Sequence, residues 1–192
     1  VCSYDLYMER REILRKLEMI NETGNRAAVI IKNMLGFARK SDAVIEPHDL
    51  AKLIRKTLDL ARSDYNLKKH YDFKLIDVVE EFDPIAPVRC DSGKLQQVIL
   101  NIFKNGAEAM AEKKQDGFHP CFTLRIYRQD RMACMEIEDN GPGMDEDMRK
   151  RMFEPFYTTK PVGEGTGLGL SVSYFIIVKD HKGELAVESR KG

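Results

Sequence analysis

No apolar run in this chain is long enough to cross a bilayer. None exceeds five residues, as in YFIIV at residues 174–178, far short of the roughly 20 that a spanning helix needs. The opening VCSYDLYMERR carries no apolar stretch of the secretory kind. Neither sign of charge prevails: 31 Lys and Arg face 31 Asp and Glu, so no global field steers the chain toward nucleic acid or an anionic membrane. Cysteine is sparse and scattered. Cys2, Cys90, Cys121 and Cys134 form no CxxC pair and no metal-ligand spacing, which argues against zinc and for reduced thiols in a cytoplasmic protein. Two nucleotide signatures are also missing. GxxxxGK[ST] does not occur, and neither does GxGxxG, so a P-loop and a dinucleotide fingerprint are both excluded.

What is present suits one domain of ordinary size with an extension. The 192 residues are 43% hydrophobic, enough for a sizeable core. In the first forty residues, Ile13, Leu17, Ile20, Gly24, Ala27, Ile31, Met34 and Ala38 succeed one another at steps of four and three. That is a heptad seam, and it fits either a helix lying on its own domain or one strand of an intermolecular bundle. RKSDAVIEPHD then reads as a hinge. Asp49 is placed to cap a helix from residue 50 to about 67, and residues 71–79 alternate as a strand. A second helix is expected from residue 94 to about 112, then a hairpin turning near residues 129–131. A third helix over 167–180 leads into a last strand, GELAVES. Interleaved helices and strands with a hairpin predict an α+β sandwich with helices on one face of the sheet.

The chemistry concentrates in two glycine clusters, DNGPGM and GEGTGLGLS. The second runs straight into a helix, where backbone N–H groups and the helix start can hold an anion. By itself it fits a flexible loop equally well. Asp139 ends a strand, where its carboxylate can accept a hydrogen bond from an exocyclic amine such as that of adenine. Gly141 and Gly143 leave room for a flat ring. Upstream, LQQVILNIFKNGAEAM carries Asn101 and Asn105 one helical turn apart, with both amides facing the same way. An asparagine carbonyl such as that of Asn105 can ligate Mg²⁺, which shares its shell with substrate phosphates and water.

LQQVILNIFKNGAEAM, DNGPGM, FEPFYTTK and GEGTGLGLS resemble, in order and spacing, the N box, first glycine box, F box and second glycine box of the GHKL ATP-binding fold of sensor histidine kinases. The resemblance covers about residues 42–189. AAVIIKNMLGFARKSD is similar to the second helix of the family's dimerisation and phosphotransfer hairpin, and FYTTKP is similar to the nitrogen-sensor-like branch. It implies a two-layer α/β sandwich with a mixed, mostly antiparallel sheet, preceded by a coiled-coil-like helix. Residues 1–41 would be part of the hairpin, and 42–192 the catalytic domain with its last strand cut short. By the same resemblance Asp139 reads adenine above Gly143, Asn105 holds Mg²⁺, and Asn101 lies near the phosphates. Lys104 reaches the α- or β-phosphate and Lys160 the γ-phosphate, each with a solvated surface lysine as its alternative. Gly165, Thr166, Gly167, Leu168 and Gly169 wrap the phosphates, and Phe153 and Phe156 anchor the covering segment.

Hydrolytic relatives carry a glutamate four residues before the magnesium asparagine, as general base for water. Asn101 stands there in this chain, and an amide takes no proton. The resemblance therefore implies ATP binding and transfer of the γ-phosphate to a histidine, a reaction that rests on positioning and charge stabilisation. Glu108, the nearest alternative carboxylate, lies one turn beyond Asn105 and reads either as a support to the site residues or as structural. None of His48, His70, His119 and His181 lies on a helix before the seam, so the phosphoacceptor is expected upstream of this fragment, which alone would not autophosphorylate. Gly106 stands where alanine is common and is expected to loosen its helix. The implied partners are ATP, the acceptor helix, a response-regulator receiver domain, and a second copy through the N-terminal helix. Two other readings stay open: a serine kinase of the anti-sigma-factor type, and a nucleotide-binding scaffold without catalysis.

Overall fold

The structure is a computed structural model, and it describes residues 11–17, 19–20, 24, 45–63, 73–113, 117–161 and 165–191. Residues 11–17 and 19–20 are helical, with Ile13, Leu17 and Ile20 of the seam exposed; the rest of the seam, apart from Gly24, lies outside the described residues.

Strand β1 (Glu46–His48) leads into helix α1 (Leu50–Ser63). Asp49 caps α1 as expected, accepting the Lys52 N–H at 3.1 Å on its carboxylate. Leu50, Leu53, Ile54, Thr57, Leu58 and Ala61 recur every three or four residues and form its buried face. The strand expected over 71–79 is displaced. Phe73–Leu75 form a 3₁₀ turn, and strand β2 is Asp77–Phe82. The turn wins because Phe73 inserts into the core, with its ring 5.9 Å from those of both Phe103 and Phe122.

Strand β3 (Val88–Cys90) pairs antiparallel with β1, and helix α2 (Ser92–Glu112) follows at once, capped by Asp91. The hairpin forms as read, between β4 (Cys121–Gln129) and β5 (Met132–Asp139), and Asp130 adopts a left-handed φ of 53° at its turn. The main sheet runs β2-β4-β5, parallel between the first pair and antiparallel between the second. Phe122, Leu124 and Ile126 point from β4 into the core beneath α1 and α2. On the other face Arg125 bridges Glu81 of β2 and Glu138 of β5. The sandwich is therefore two-layered with helices on one side, and the alternation of β4 sets which side.

Helix α3 (Glu146–Arg151) is short. Helix α4 (Gly169–Tyr174) packs on α2 and widens into a π-helical turn over Phe175–Asp180. The final strand read from GELAVES is not observed. Residues 183–189 keep the alternating exposure of a strand but, among the described residues, pair with no neighbour in either sheet. Their alternation satisfies one half of what a strand needs, and ladder hydrogen bonds are the other half. Among the described residues no helix is long and apolar enough to cross a membrane.

Candidate functional site

On α2, Asn101, Lys104, Asn105 and Glu108 stand three and four residues apart, so one face of the helix carries two amides, a cation and a carboxylate. That face forms one wall of a cavity of about 240 Å³. A second wall comes from Met152, Tyr157, Thr158 and Lys160. Gly165, Thr166, Gly167, Gly169 and Leu170 form the third. Eight of the residues singled out in the sequence thus meet around one space: Asn101, Lys104, Asn105, Lys160, Gly165, Thr166, Gly167 and Gly169.

The two asparagines differ in what they touch. Asn101 Nδ2 donates to the Gly169 carbonyl at 3.1 Å and to Ser173 Oγ at 3.3 Å, tying α2 to the start of α4. Asn105 has no side-chain bond of this kind among the described residues, which leaves its amide oxygen to a ligand in the cavity. Glycine is required where the second cluster folds back on the F-box segment. Phe156 holds a left-handed φ of 68°, and its N–H donates to the Gly167 carbonyl at 2.9 Å. A Cβ on Gly167 would lie 2.4 Å from the Phe156 carbonyl carbon. Phe156 itself is 59% exposed and anchors nothing in the core, contrary to expectation, because this backbone turn directs its side chain outward. Phe153 does pack, 5.5 Å from the Tyr174 ring. Leu168 is buried in the core rather than lining the cavity.

Asp139, Gly141 and Gly143 do not line this cavity. Asp139 and Gly141 abut the neighbouring face of α2, whereas Gly143 lies against the backbone of Arg190 and Lys191. Asp139 Oδ1 accepts the Gly141 N–H at 3.0 Å. A Cβ on Gly106 would meet Phe122 Cε1 at 2.6 Å and Asp139 Oδ2 at 3.1 Å, and one on Gly141 would lie 3.5 Å from Ala109 Cβ. Gly106 is thus a close-approach position, not merely a weak point of the helix. Burial pushes the Asp139 carboxyl above its ordinary range. The Gly141 N–H opposes that, and the Glu138 charge adds to it. At Gly143 the place of a Cβ is filled by the carbonyl of Arg190, whose oxygen would lie 2.1 Å away.

Sequence reasoning missed two contributors and left the place of a third, Glu108, open. Asn140 locks the first glycine loop to β4, accepting the Cys121 N–H at 2.9 Å and donating to the His119 carbonyl at 2.8 Å. His181 joins the ends of the two helices that wall the cavity. Its Nε2 accepts the Asp91 N–H at 3.0 Å, and its Nδ1 faces the Ile176 carbonyl at 2.9 Å. That pattern assigns the proton to Nδ1. Beside it Lys94 pairs with Asp180 at 2.7 Å. Glu108, read as supporting the site or as structural, lines the cavity and forms an ion pair with Lys160. Of these only Glu108 left a sequence signal, through its spacing from Asn101 and Asn105. His48 sits in β1 and His119 is exposed, each away from the cavity lining, and His70 lies outside the described residues.

No group of three or more His, Cys, Asp or Glu among the described residues could hold a metal ion by itself. Mg²⁺ calls for few protein ligands, because it completes its shell with substrate phosphates and water. Asn105 is the residue that would hold it.

A family model described as "Histidine kinase-, DNA gyrase B-, and HSP90-like ATPase" matches residues 90–192. Sporulation kinase E of Bacillus subtilis (strain 168) is 38% identical over 167 residues, which is 87% of this chain and 21% of that protein. The chain therefore spans about a fifth of that curated relative. Among solved structures, the nucleotide-free catalytic domain of the histidine kinase ThkA is 28% identical with a TM-score of 0.62, covering 77% of this chain and 88% of that one. Full-length ShkA in complex with AMPPNP is 26% identical with a TM-score of 0.59, covering 85% of this chain and 32% of that one.

Proposed function

The chain belongs to the histidine kinase-, DNA gyrase B- and HSP90-like ATPase family and carries its ATP-binding domain, and from that premise we propose that it presents ATP to a phosphoacceptor histidine rather than to water. The carrying observation is at Asn101. The position of a hydrolytic base holds an amide whose N–H groups already bond Gly169 and Ser173, so it offers no proton acceptor to a water. The carboxylate in the cavity lining, that of Glu108, is engaged with Lys160.

In this reading the adenine lies by Asp139, Gly141 and Gly143, and the phosphates extend along α2 into the cavity. Lys104, Lys160 and the N–H groups of residues 165–169 face the phosphate charge, and Asn105 holds Mg²⁺, which would neutralise charge on the phosphate oxygens. The reaction breaks the bond between the γ-phosphorus and its bridging oxygen, forms a phosphorus–nitrogen bond to a neutral imidazole, and releases ADP. Neutral imidazole is already nucleophilic, so positioning and charge stabilisation suffice. Residues 1–41 would belong to the dimerisation and phosphotransfer hairpin, the acceptor would lie on its other helix, and a receiver domain would take the phosphate onward.

Titration calorimetry with ATP, in Mg²⁺ and in EDTA, tests the site. Wild type should bind in both. Asp139→Asn should weaken both titrations, and Asn105→Ala should remove chiefly the Mg²⁺-dependent part. A folded protein that binds no ATP would refute the assignment. Steady hydrolysis of ATP by this chain, lost in Glu108→Gln, would refute the choice of acceptor.

A further inference from the structure

Glu108 is an anion in a cavity that the proposed function fills with phosphate, and that conflict is informative. The carboxylate stands on α2 three residues after Asn105 and four after Lys104, on the face that walls the cavity. Its Oε2 accepts from Lys160 Nζ, and the two side chains are 31% and 30% exposed, so the pair is neither freely solvated nor sealed. Lys160 is aimed across the cavity by its own neighbourhood. Its N–H donates to Thr158 Oγ1 at 3.2 Å, which sets the turn. A Cβ on Gly165 would lie 3.1 Å from Lys160 Cδ and 2.6 Å from Thr158 Oγ1. The lysine stem therefore runs over Gly165 toward α2 because nothing larger than glycine stands there.

We propose that Glu108 is a positioning residue that makes Lys160 a sensor of the terminal phosphate, giving the site its preference for a nucleoside triphosphate over the diphosphate. The inference rests on the nucleotide reading above. With no terminal phosphate present, Lys160 stays on Glu108. A terminal phosphate, which carries more charge than one carboxylate and several acceptor oxygens, draws Lys160 away from it. A diphosphate ends short of Lys160 and leaves the pair intact. Glu108 thus acts on triphosphate binding through competition for one cation, and the bare carboxylate left behind is part of what ATP binding must overcome.

The test is calorimetric affinity for ATP and for ADP, in Mg²⁺, of wild type, Glu108→Gln, Lys160→Met and the double variant. Glu108→Gln leaves Lys160 without its competitor. It should tighten ATP roughly threefold to fivefold, the scale of one partly exposed ion pair, and change ADP less than twofold. In the Lys160→Met background the same substitution should give no gain for ATP. Equal tightening of ATP and ADP would mean general repulsion, and would overturn the proposal. Weaker ATP binding in Glu108→Gln would mean that the carboxylate serves the ligand directly, and would also overturn it. Loss of both nucleotides in wild type would instead sink the nucleotide reading, an outcome that the wild-type titration reports by itself.

Discussion

Replacing Gly106 with alanine sets two well-measured effects against each other. In an exposed helix interior the change gains about 1 kcal/mol of stability through helix propensity. Here the added methyl would lie 2.6 and 2.9 Å from two ring carbons of Phe122 and 3.1 Å from Asp139 Oδ2, where about 3.5 Å or more is comfortable. Phe122 cannot swing aside, since it is fully buried with Phe73 5.9 Å and Phe103 5.3 Å away. Overpacking of this kind costs about 1–3 kcal/mol, and the rigidity of the aromatic cluster places the site in the upper half of that range. The expected net result is a loss of about 1–2 kcal/mol in urea denaturation, with the m-value unchanged. Phe122→Leu removes the ring edge, so Gly106→Ala should cost less in that background, with a coupling of about 1 kcal/mol. A stabilised Gly106→Ala variant, or strict additivity in the cycle, would refute the packing argument.

The pH dependence of stability should carry the mark of Asp139. Desolvation raises its carboxyl on folding, so the native state binds that proton more tightly than the unfolded chain does. The associated stability is complete below the ordinary carboxylate range and is lost as pH rises through the elevated native value. Asp139→Asn should flatten the profile just above pH 3.8, and an unaltered slope there would contradict the burial account. Asn101→Ala removes the two bonds that hold α4 to α2 and leaves the Gly169 carbonyl with one partner fewer. It should cost about 1–2 kcal/mol in the same denaturation assay, and a neutral outcome would show that the amide is not structural.

The two-layer architecture was legible because its signals are local. The cap at Asp49 and the hairpin turn near Asp130 each act within a few residues, and each appears where the sequence put it. Most of the cavity was legible for the same reason. Residues at helical spacing on α2 share a face whatever lies opposite, and a glycine cluster running into a helix start is itself a local pattern. The failures share a cause too. Phe73 left the expected strand because two aromatic partners distant in the chain drew it into the core. GELAVES kept a strand's alternation without a strand's partner, and no sequence period reports whether a partner is present.

What the sequence determined by itself is the set of chemical groups and their order along two helices, one hairpin and two glycine turns. Their use was decided only in three dimensions. Asn101 and Asn105 are the same residue one turn apart, yet one is tied to Gly169 and Ser173 while the other faces open space. Gly106 looks like a helix defect until Phe122 and Asp139 are seen against it. Glu108 and Lys160 are 52 residues apart and meet only because the second glycine cluster folds back over the F-box segment. Propensity, capping and periodicity are short-range along the chain, whereas packing, desolvation and charge pairing depend on which distant atoms arrive beside a side chain.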